Sequence, residues 1–285
     1  KPKHVILTSI EFDHADIYRD LDHVKDAFRM LLRLIPQDGN LVVYAEDKNI
    51  KSILSETKCK NIFTYGENSG DYQIVDRETV GGRNQFSVKF KGEKIADIAI
   101  KYFGPHNSLN AIAVFAMAHQ LGWPMHQILQ GLANFKGVKR RQEVIGEPKG
   151  VKIIEDFAHH PTAVRLTIKS IQEMYPGKKV FAVFEPRSAT SRRKVFQKDY
   201  VEALSTADEI YVAEAFDQSK INEGDRFSTD QLIDDIKANN KTAYLGKNAD
   251  HIVQLLSPRV KSGDVVLIMS NGGFDGIYQK LINAI

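Results

Sequence analysis

Apolar and polar positions divide the first part of the chain into strands, helices and a hairpin region. Apolar runs predict strands at residues 4–9, 41–44 and 61–65. Helical spacing of apolar residues predicts helices at residues 21–34, 107–121 and 124–134. Residues 72–100 differ from their surroundings, because short alternating runs are divided by Gly81-Gly82 and Lys91-Gly92. That pattern is typical of antiparallel hairpins attached to a parallel sheet.

The second part shows a simpler alternation of strands and helices. Predicted strands cover residues 152–157, 179–184, 209–213, 242–245 and 265–269. Predicted helices cover residues 162–174, 195–205, 228–238, 249–256 and 275–285. This alternation predicts an α/β fold with a doubly wound parallel sheet, in which ligands bind outside the carboxyl ends of the strands. We place the domain boundary within residues 134–137, which predicts domains at residues 1–135 and 136–285.

Composition narrows the class of partner. The chain has 285 residues, and 39 lysines and arginines against 36 aspartates and glutamates leave a net charge of +3. So small a charge gives no reason to expect a nucleic-acid or membrane partner. The longest apolar run, residues 111–118, is far shorter than a membrane span. The single cysteine, Cys59, excludes an intrachain disulfide and a cysteine-based zinc site, and it fits a reducing cytoplasm.

A polar segment follows the first predicted strand, at residues 11–16 (EFDHAD). Its carboxylate and imidazole groups are ligands that could hold a divalent cation against phosphate. The alternative is that Asp13 and Asp16 cap the next helix and His14 lies at the surface.

Two asparagines open the helix predicted at residue 107. Asn107 and Asn110 are three positions apart, so both amides can share one helix face. An asparagine amide can pair with the N6 and N7 edge of adenine, which suits nucleotide recognition. The alternative is structural, because Asn107 or Ser108 would also make a good helix N-cap.

Basic and imidazole groups surround the start of the second part. Residues 137–141 (GVKRR) lie at the predicted boundary and could neutralise phosphate, or they form a solvated basic linker. Residues 156–162 (DFAHHPT) end a strand and begin a helix at Pro161 or Thr162. Asp156 is placed to hold a ribose, a water or a metal. The adjacent His159 and His160 must point in different directions, so they are not expected to share a role.

Two further loops follow strands of the second part. Residues 185–193 (EPRSATSRR) combine arginine with hydroxyl donors, which suits a carboxylate or phosphate, or they form a flexible basic loop. Residues 269–276 (MSNGGFDG) form a glycine-rich turn that lets a ligand approach the backbone. Its spacing does not fit a dinucleotide fingerprint, and the chain has no Gly-x-x-x-x-Gly-Lys-[Ser/Thr] phosphate loop and no Gly-x-Ser-x-Gly elbow.

Taken together, these segments resemble the Mur ligases over essentially the whole chain. The motifs DHxD at 13–16, HNxxN at 106–110, VKRR at 138–141 and DxxHHPT at 156–162 occur in the order that the family uses. The HHPT element is shared by two groups, the muramate–alanine ligases and the murein peptide ligases. Residues 11–16, 156–160, 185–188 and 269–274 are similar to the murein peptide ligases. The resemblance implies a truncated central ATPase domain followed by a Rossmann-like C-terminal domain.

The resemblance also implies a reaction. It would be an ATP-dependent, Mg²⁺-dependent amide ligation between UDP-N-acetylmuramate and the tripeptide L-alanyl-γ-D-glutamyl-meso-diaminopimelate. The reaction would pass through an acyl phosphate and serve peptidoglycan recycling in the bacterial cytoplasm. Phosphoryl transfer needs positioning and charge neutralisation more than a protein nucleophile, which agrees with the motifs found. Two alternatives remain, a UDP-N-acetylmuramate–L-alanine ligase and a non-catalytic nucleotide- or peptide-binding module.

Site roles follow from matching positions in the family. The resemblance implies that His14 helps to hold Mg²⁺ and that Asn107 and Asn110 meet the adenine side of ATP. The positions implied to contact nucleotide or phosphate are Arg140, Arg141 and Asp156. The positions implied to face the acceptor are His159, His160, Arg187 and Ser188. Of all these residues, Arg141 and His159 are the expected catalytic ones.

The sequence departs from the family pattern at its start. A UDP-binding domain, a Gly-Lys-Thr phosphate loop and a Mg²⁺-binding glutamate precede these motifs in the family, and none of the three is found in this sequence. We therefore expect the 285 residues alone to be inactive and to need the missing N-terminal part as a partner. Apolar surface is expected to be exposed where that part would pack.

Overall fold

The computed structural model describes residues 1–285. The chain divides into two compact units, Lys1–Lys136 and Gly137–Ile285. Each unit has its own six-stranded sheet with helices on both faces. The predicted α/β class is therefore confirmed. None of the helices is both long enough and apolar enough to cross a membrane.

The first sheet joins a parallel half to an antiparallel half. Its strands, in spatial order, are β1 (His4–Leu7), β2 (Asn40–Tyr44), β3 (Asn61–Gly66), β4 (Tyr72–Val80), β5 (Arg83–Phe90) and β6 (Glu93–Ile100). The pairs from β1 to β4 are parallel, and the pairs β4–β5 and β5–β6 are antiparallel. The hairpins predicted in residues 72–100 are thus continuous with the parallel sheet.

Strand alternation divides the first unit into two cores. Leu41 and Val43 of β2 face one way, towards α1 (Leu21–Leu34) and α2 (Lys48–Ile53). Val42 faces the other way, towards α3 (Pro105–Gln120) and α4 (Met125–Asn134). Successive side chains of a strand point to opposite faces, so a short run of apolar residues serves both layers.

The second sheet is parallel except at one edge. Its spatial order is β11 (Thr242–Gly246), β10 (Glu209–Ala213), β9 (Val180–Phe184), β12 (Val265–Met269), β8 (Lys152–Asp156) and β7 (Glu143–Gly146). Only β7 is antiparallel, against β8. The covering helices are α5 (Pro161–Met174), α6 (Gln197–Leu204), α7 (Thr229–Ala238), α8 (Ala249–Leu256) and α9 (Ile277–Ala284). All five residues of β9 and of β12 are buried, as expected for central strands covered on both faces.

In three details, the caps or first residues of helices differ from what the sequence predicts. Helix α3 begins at Pro105 after Gly104, so neither Asn107 nor Ser108 is its N-cap, because proline fits the first helical position. The Asp20 carboxylate caps α1 by accepting the His23 N–H at 2.8 Å, so neither Asp13 nor Asp16 does.

The third detail concerns the end of the chain. Helix α9 starts at Ile277 rather than at residue 275, because Phe274, Asp275 and Gly276 all have positive φ values. A left-handed backbone cannot continue into the right-handed α-helix, so these residues form a turn before it.

Candidate functional site

The central strands of the second sheet bring three loops together at their carboxyl ends. Met269 of β12 is in register with Asp156 of β8 and with Phe184 of β9. The loops that follow therefore begin at one edge of the sheet, which we call the carboxyl edge. In open α/β sheets this is the edge at which ligands bind.

Asp156 lies inside this edge rather than on it. It is 3% exposed, and its two carboxylate oxygens accept the N–H groups of Gln142 at 2.9 Å and Ala158 at 2.7 Å. Burial raises the pKa of Asp156, although the N–H donors and Arg141 oppose that shift. Its carboxylate therefore joins the chain before β8 to the loop after it.

Arg140 and Arg141 differ although they are adjacent. The Arg140 guanidinium donates to Glu155 at 2.6 Å and to the carbonyls of Ser270 at 2.9 Å and Gly272 at 2.6 Å. Arg141 is exposed, and its guanidinium carbon lies 5.2 Å from the centroid of the Phe157 ring. Arg140 thus joins strand β8 to the loop after β12, while Arg141 keeps its hydrogen-bond donors for solvent or a ligand.

A second arginine cluster follows β9. The buried Glu185 carboxylate accepts the Ser270 hydroxyl at 2.5 Å and lies 3.4 Å from Nη1 of Arg187. The Arg187 guanidinium carbon lies 3.8 Å from the centroid of the Phe216 ring. Sequence reasoning selected Arg187 but assigned no role to Glu185 or Phe216. In the sequence, only the positive charge of the arginine suggests an anionic ligand, because the contacts of Glu185 and Phe216 with it appear only in the fold.

Ser188 differs in exposure from its neighbour Arg187. It is 8% exposed, its hydroxyl accepts the Ser191 N–H at 2.9 Å, and the two hydroxyls lie 2.9 Å apart. These bonds stabilise the loop itself. Of the two positions predicted to face an acceptor in this loop, only Arg187 presents a charged group at the surface.

The two adjacent histidines contact different groups, as their spacing predicts. Nδ1 of His159 lies 2.9 Å from the Phe157 carbonyl, so that nitrogen donates. Nδ1 of His160 accepts the Thr162 N–H at 3.3 Å and so caps α5, and its ring packs edge-on against Phe196. His160 therefore has a structural role as the N-cap of α5.

The predicted site residues of the first unit are exposed or half-buried. His14 is exposed with a φ of 54°, in the loop after β1, and its carbonyl accepts the N–H groups of Ile17 and Tyr18. Asn107 is half-buried and donates to the Phe103 carbonyl at 2.7 Å, while Asn110 is exposed. No three histidine, cysteine, aspartate or glutamate side chains of the chain come together as a metal site.

Comparison with known families agrees with this architecture. Residues 1–118 match the Mur ligase middle domain, and residues 140–272 match the Mur ligase glutamate ligase domain. Both matched domains are domains of Mur ligases, and homologues in that family are ATP-dependent amide ligases. The chain belongs to the Mur ligase family.

Curated relatives include UDP-N-acetylmuramate–L-alanine ligases. That of Clostridium botulinum strain Hall is 33% identical over 282 residues, which cover 98% of this chain and 60% of the relative. The ligase of Desulfitobacterium hafniense strain Y51 is 30% identical, and the aligned residues cover 99% of this chain and 62% of the relative. The chain thus spans about 60% of the length of the relatives that it matches.

Solved structures show the same fold. A murein peptide ligase from Psychrobacter arcticus is 29% identical, with a TM-score of 0.67 and coverage of 100% of this chain and 57% of that one. A UDP-N-acetylmuramate–alanine ligase from Thermotoga maritima has a TM-score of 0.78 at 24% identity, covering 99% and 59%.

Proposed function

We propose that this chain is part of an ATP-dependent ligase that acts on the carboxylate of UDP-N-acetylmuramate. ATP transfers its γ-phosphoryl group to that carboxylate, which gives ADP and an acyl phosphate. An acceptor amine then attacks the acyl carbon, an amide bond forms, phosphate leaves and the nitrogen loses a proton. The observation that carries the proposal is that Arg141 and Arg187 present cations at one edge of the second sheet in a Mur ligase chain.

The second unit would stabilise charge during phosphoryl transfer. Arg141 supplies the exposed guanidinium, and Asp156 and Arg140 fix the backbone on either side of it. Because phosphoryl transfer depends on positioned cations, this arrangement suits the reaction. The direct nucleotide contacts implied for Asp156 and Arg140 stay predictions, and a positioning role fits their protein contacts better.

In the first unit, Asn107 and Asn110 would meet the adenine, and His14 would contribute a ligand to Mg²⁺. The chain brings no three histidine, cysteine, aspartate or glutamate side chains together, so His14 would act beside the phosphates of ATP, which would supply further ligands to Mg²⁺. When bound, the ion would neutralise phosphate charge. Such a ligase would act in the bacterial cytoplasm, where ATP is available.

Two acceptors have specific support. L-Alanine is supported by the names of the curated relatives at 30–33% identity, and it has the stronger backing from relatives. The tripeptide L-alanyl-γ-D-glutamyl-meso-diaminopimelate, used in peptidoglycan recycling, is supported by the motifs at residues 185–188 and 269–274 and by the 29% identical murein peptide ligase. In either case Arg187 would face a carboxylate of the acceptor, with His159 close to the same edge.

The experiment is acceptor-dependent phosphate release by the protein expressed from its whole coding sequence. The assay contains ATP, Mg²⁺ and UDP-N-acetylmuramate, with L-alanine or the tripeptide as acceptor. Turnover with the tripeptide alone supports the recycling ligase, and turnover with L-alanine alone supports the alanine ligase. Nucleotide binding without turnover on either acceptor contradicts the ligase proposal and favours a binding module.

A further inference from the structure

One aromatic side chain at the carboxyl edge has no role in the proposed reaction. Phe216 lies in the loop after β10, and 44% of its side chain is exposed. Its backbone N–H donates to the Pro186 carbonyl at 3.0 Å, which ties the loop after β10 to the loop after β9. The ring is thereby held over Arg187, with 3.8 Å between its centroid and the guanidinium carbon.

Gly272 restricts the same arginine from the loop after β12. A Cβ atom at Gly272 would lie 2.3 Å from Cδ and Nε of Arg187, so any larger residue would displace the arginine side chain from its observed position. Glu185 completes the enclosure, because Oε1 lies 3.4 Å from Nη1 of Arg187 and Oε2 accepts the Ser270 hydroxyl. Three loops therefore fix one guanidinium, whose side chain is still 32% exposed.

The chemistry of the enclosure points to a carboxylate ligand. A guanidinium has five N–H donors in a planar fork, and Glu185 accepts from only one of its nitrogen atoms in this structure. A planar fork that is already oriented loses little entropy when it binds a carboxylate through two hydrogen bonds. Stacking on an aromatic ring orients the plane without using any donor.

We propose that Phe216 is a specificity-determining residue that orients Arg187 to bind a carboxylate of the acceptor. This inference rests on the proposed function, because it assigns Arg187 to the acceptor. Phe216 acts through Arg187 and is therefore a positioning residue. Its removal is expected to weaken acceptor binding and to leave the chemical step intact.

The test compares Phe216→Leu with Tyr244→Leu, because Tyr244 of β11 lies under Arg259, whose partner Glu209 begins β10 at the opposite edge, where the amino ends of the strands lie. Phosphate release is measured with the full-length protein while acceptor concentration is varied. We expect Phe216→Leu to raise the acceptor KM about 10-fold at unchanged kcat, since uniform binding is lost. Phe216→Tyr should restore the wild-type KM, and Tyr244→Leu should leave it unchanged.

A second readout separates failure of this inference from failure of the proposed function. Ring current from Phe216 should shift the Arg187 Nε–H resonance upfield, and Arg187→Lys identifies that resonance by removing it. We expect the shift to disappear in Phe216→Leu and to persist in Phe216→Tyr. If the wild-type protein turns over and Phe216→Leu has the same acceptor KM, this inference is overturned while the proposed function stands. A protein without turnover refutes the proposed function, and an unaltered Arg187 resonance in Phe216→Leu then refutes the orienting role as well.

Discussion

The two edges of the second sheet carry the same three-part cluster, yet the clusters differ in what surrounds them. At the carboxyl edge, Arg187 lies over Phe216 and 3.4 Å from Glu185. At the opposite edge, Arg259 lies 4.5 Å from the centroid of Tyr244 and 3.4 Å from Glu209. An arginine, a buried glutamate and an aromatic ring thus recur with nearly the same spacing.

The partner of the second glutamate oxygen distinguishes the clusters. Glu209 binds the ammonium group of Lys179 at 2.6 Å, so it lies between two cations. The second oxygen of Glu185 accepts only the neutral Ser270 hydroxyl. Similar local chemistry therefore does not by itself define the role of an arginine. Position at the carboxyl end of parallel strands is the reason why Arg187, and not Arg259, is proposed to face a ligand.

The largest expected effect separates adjacent residues within the carboxyl edge. Arg141→Met should lower the rate of phosphate release about 100-fold without changing the thermal midpoint, because it removes the cation that we propose to stabilise the transition state. Arg140→Met should lower the thermal midpoint, because it leaves Glu155 and two carbonyls without their donor. The two variants are compared by steady-state kinetics and by thermal unfolding. If the two variants lose the same rate and have the same thermal midpoint, the proposed difference in role between Arg140 and Arg141 is wrong.

The next effect concerns the buried carboxylate of the carboxyl edge. Asp156→Asn should lower the free energy of unfolding at pH 7 by about 2 kcal/mol, since the new amide NH₂ faces a backbone N–H donor. Because burial raises the pKa of Asp156, the stabilisation by this group is complete below its unfolded pKa and decreases as pH rises through the folded pKa. Urea unfolding of both proteins at several pH values measures this. A stability difference that shrinks as pH falls would contradict the assigned direction.

The opposite pH dependence is expected at the other edge. Burial alone would raise the pKa of Glu209. Hydrogen bonds from Lys179 and Tyr211, together with the charges of Lys179 and Arg259, outweigh that effect, so the pKa lies below its usual value. Glu209→Gln should cost about 1 kcal/mol at pH 7, a modest value because Lys179 and Arg259 are partly exposed. That cost should vanish as pH falls through the folded pKa. Urea unfolding at a series of pH values below 7 checks it, and a cost that grows as pH falls would contradict the ion-pair account.

The smallest expected effect lies in the first unit. His14 is exposed and offers a single ligand, so His14→Ala should leave stability unchanged and raise the Mg²⁺ concentration needed for half-maximal phosphate release a few-fold. His126→Ala, at another exposed histidine of the first unit outside residues 11–16, serves as the matched control. An identical Mg²⁺ requirement in wild type and His14→Ala would remove His14 from the metal site.

Most of the fold could be predicted from the sequence because buried strands and amphipathic helices have distinct apolar patterns. β9 and β12 are continuous apolar runs, and each lies where its pattern predicts. The edge strand β7 was not predicted, because Glu143–Gly146 is too short and too mixed to be recognised without its partner β8. The start of α9 was misplaced, because three residues with positive φ do not change the apolar spacing.

The site was less predictable because its contacts join distant positions. The motifs identified Arg140 and Asp156, but their partners are largely backbone groups, which have no sequence signature. Glu185 and Ser270 are 85 residues apart, and nothing in either segment indicates that they meet. Side chains that suggest ligand chemistry can therefore be found from sequence. Whether such a group faces a ligand or a neighbouring loop depends on the fold.

The most direct test of the central claim is the acceptor KM of two matched variants, Arg187→Lys and Arg259→Lys. Each replaces a planar guanidinium that lies over an aromatic ring beside a buried glutamate. We expect about a 10-fold rise in acceptor KM for Arg187→Lys and an unchanged KM for Arg259→Lys, because lysine cannot bind a carboxylate through a planar fork. Equal KM values in the two variants would contradict the division of the sheet into a ligand-binding edge and a stabilising edge.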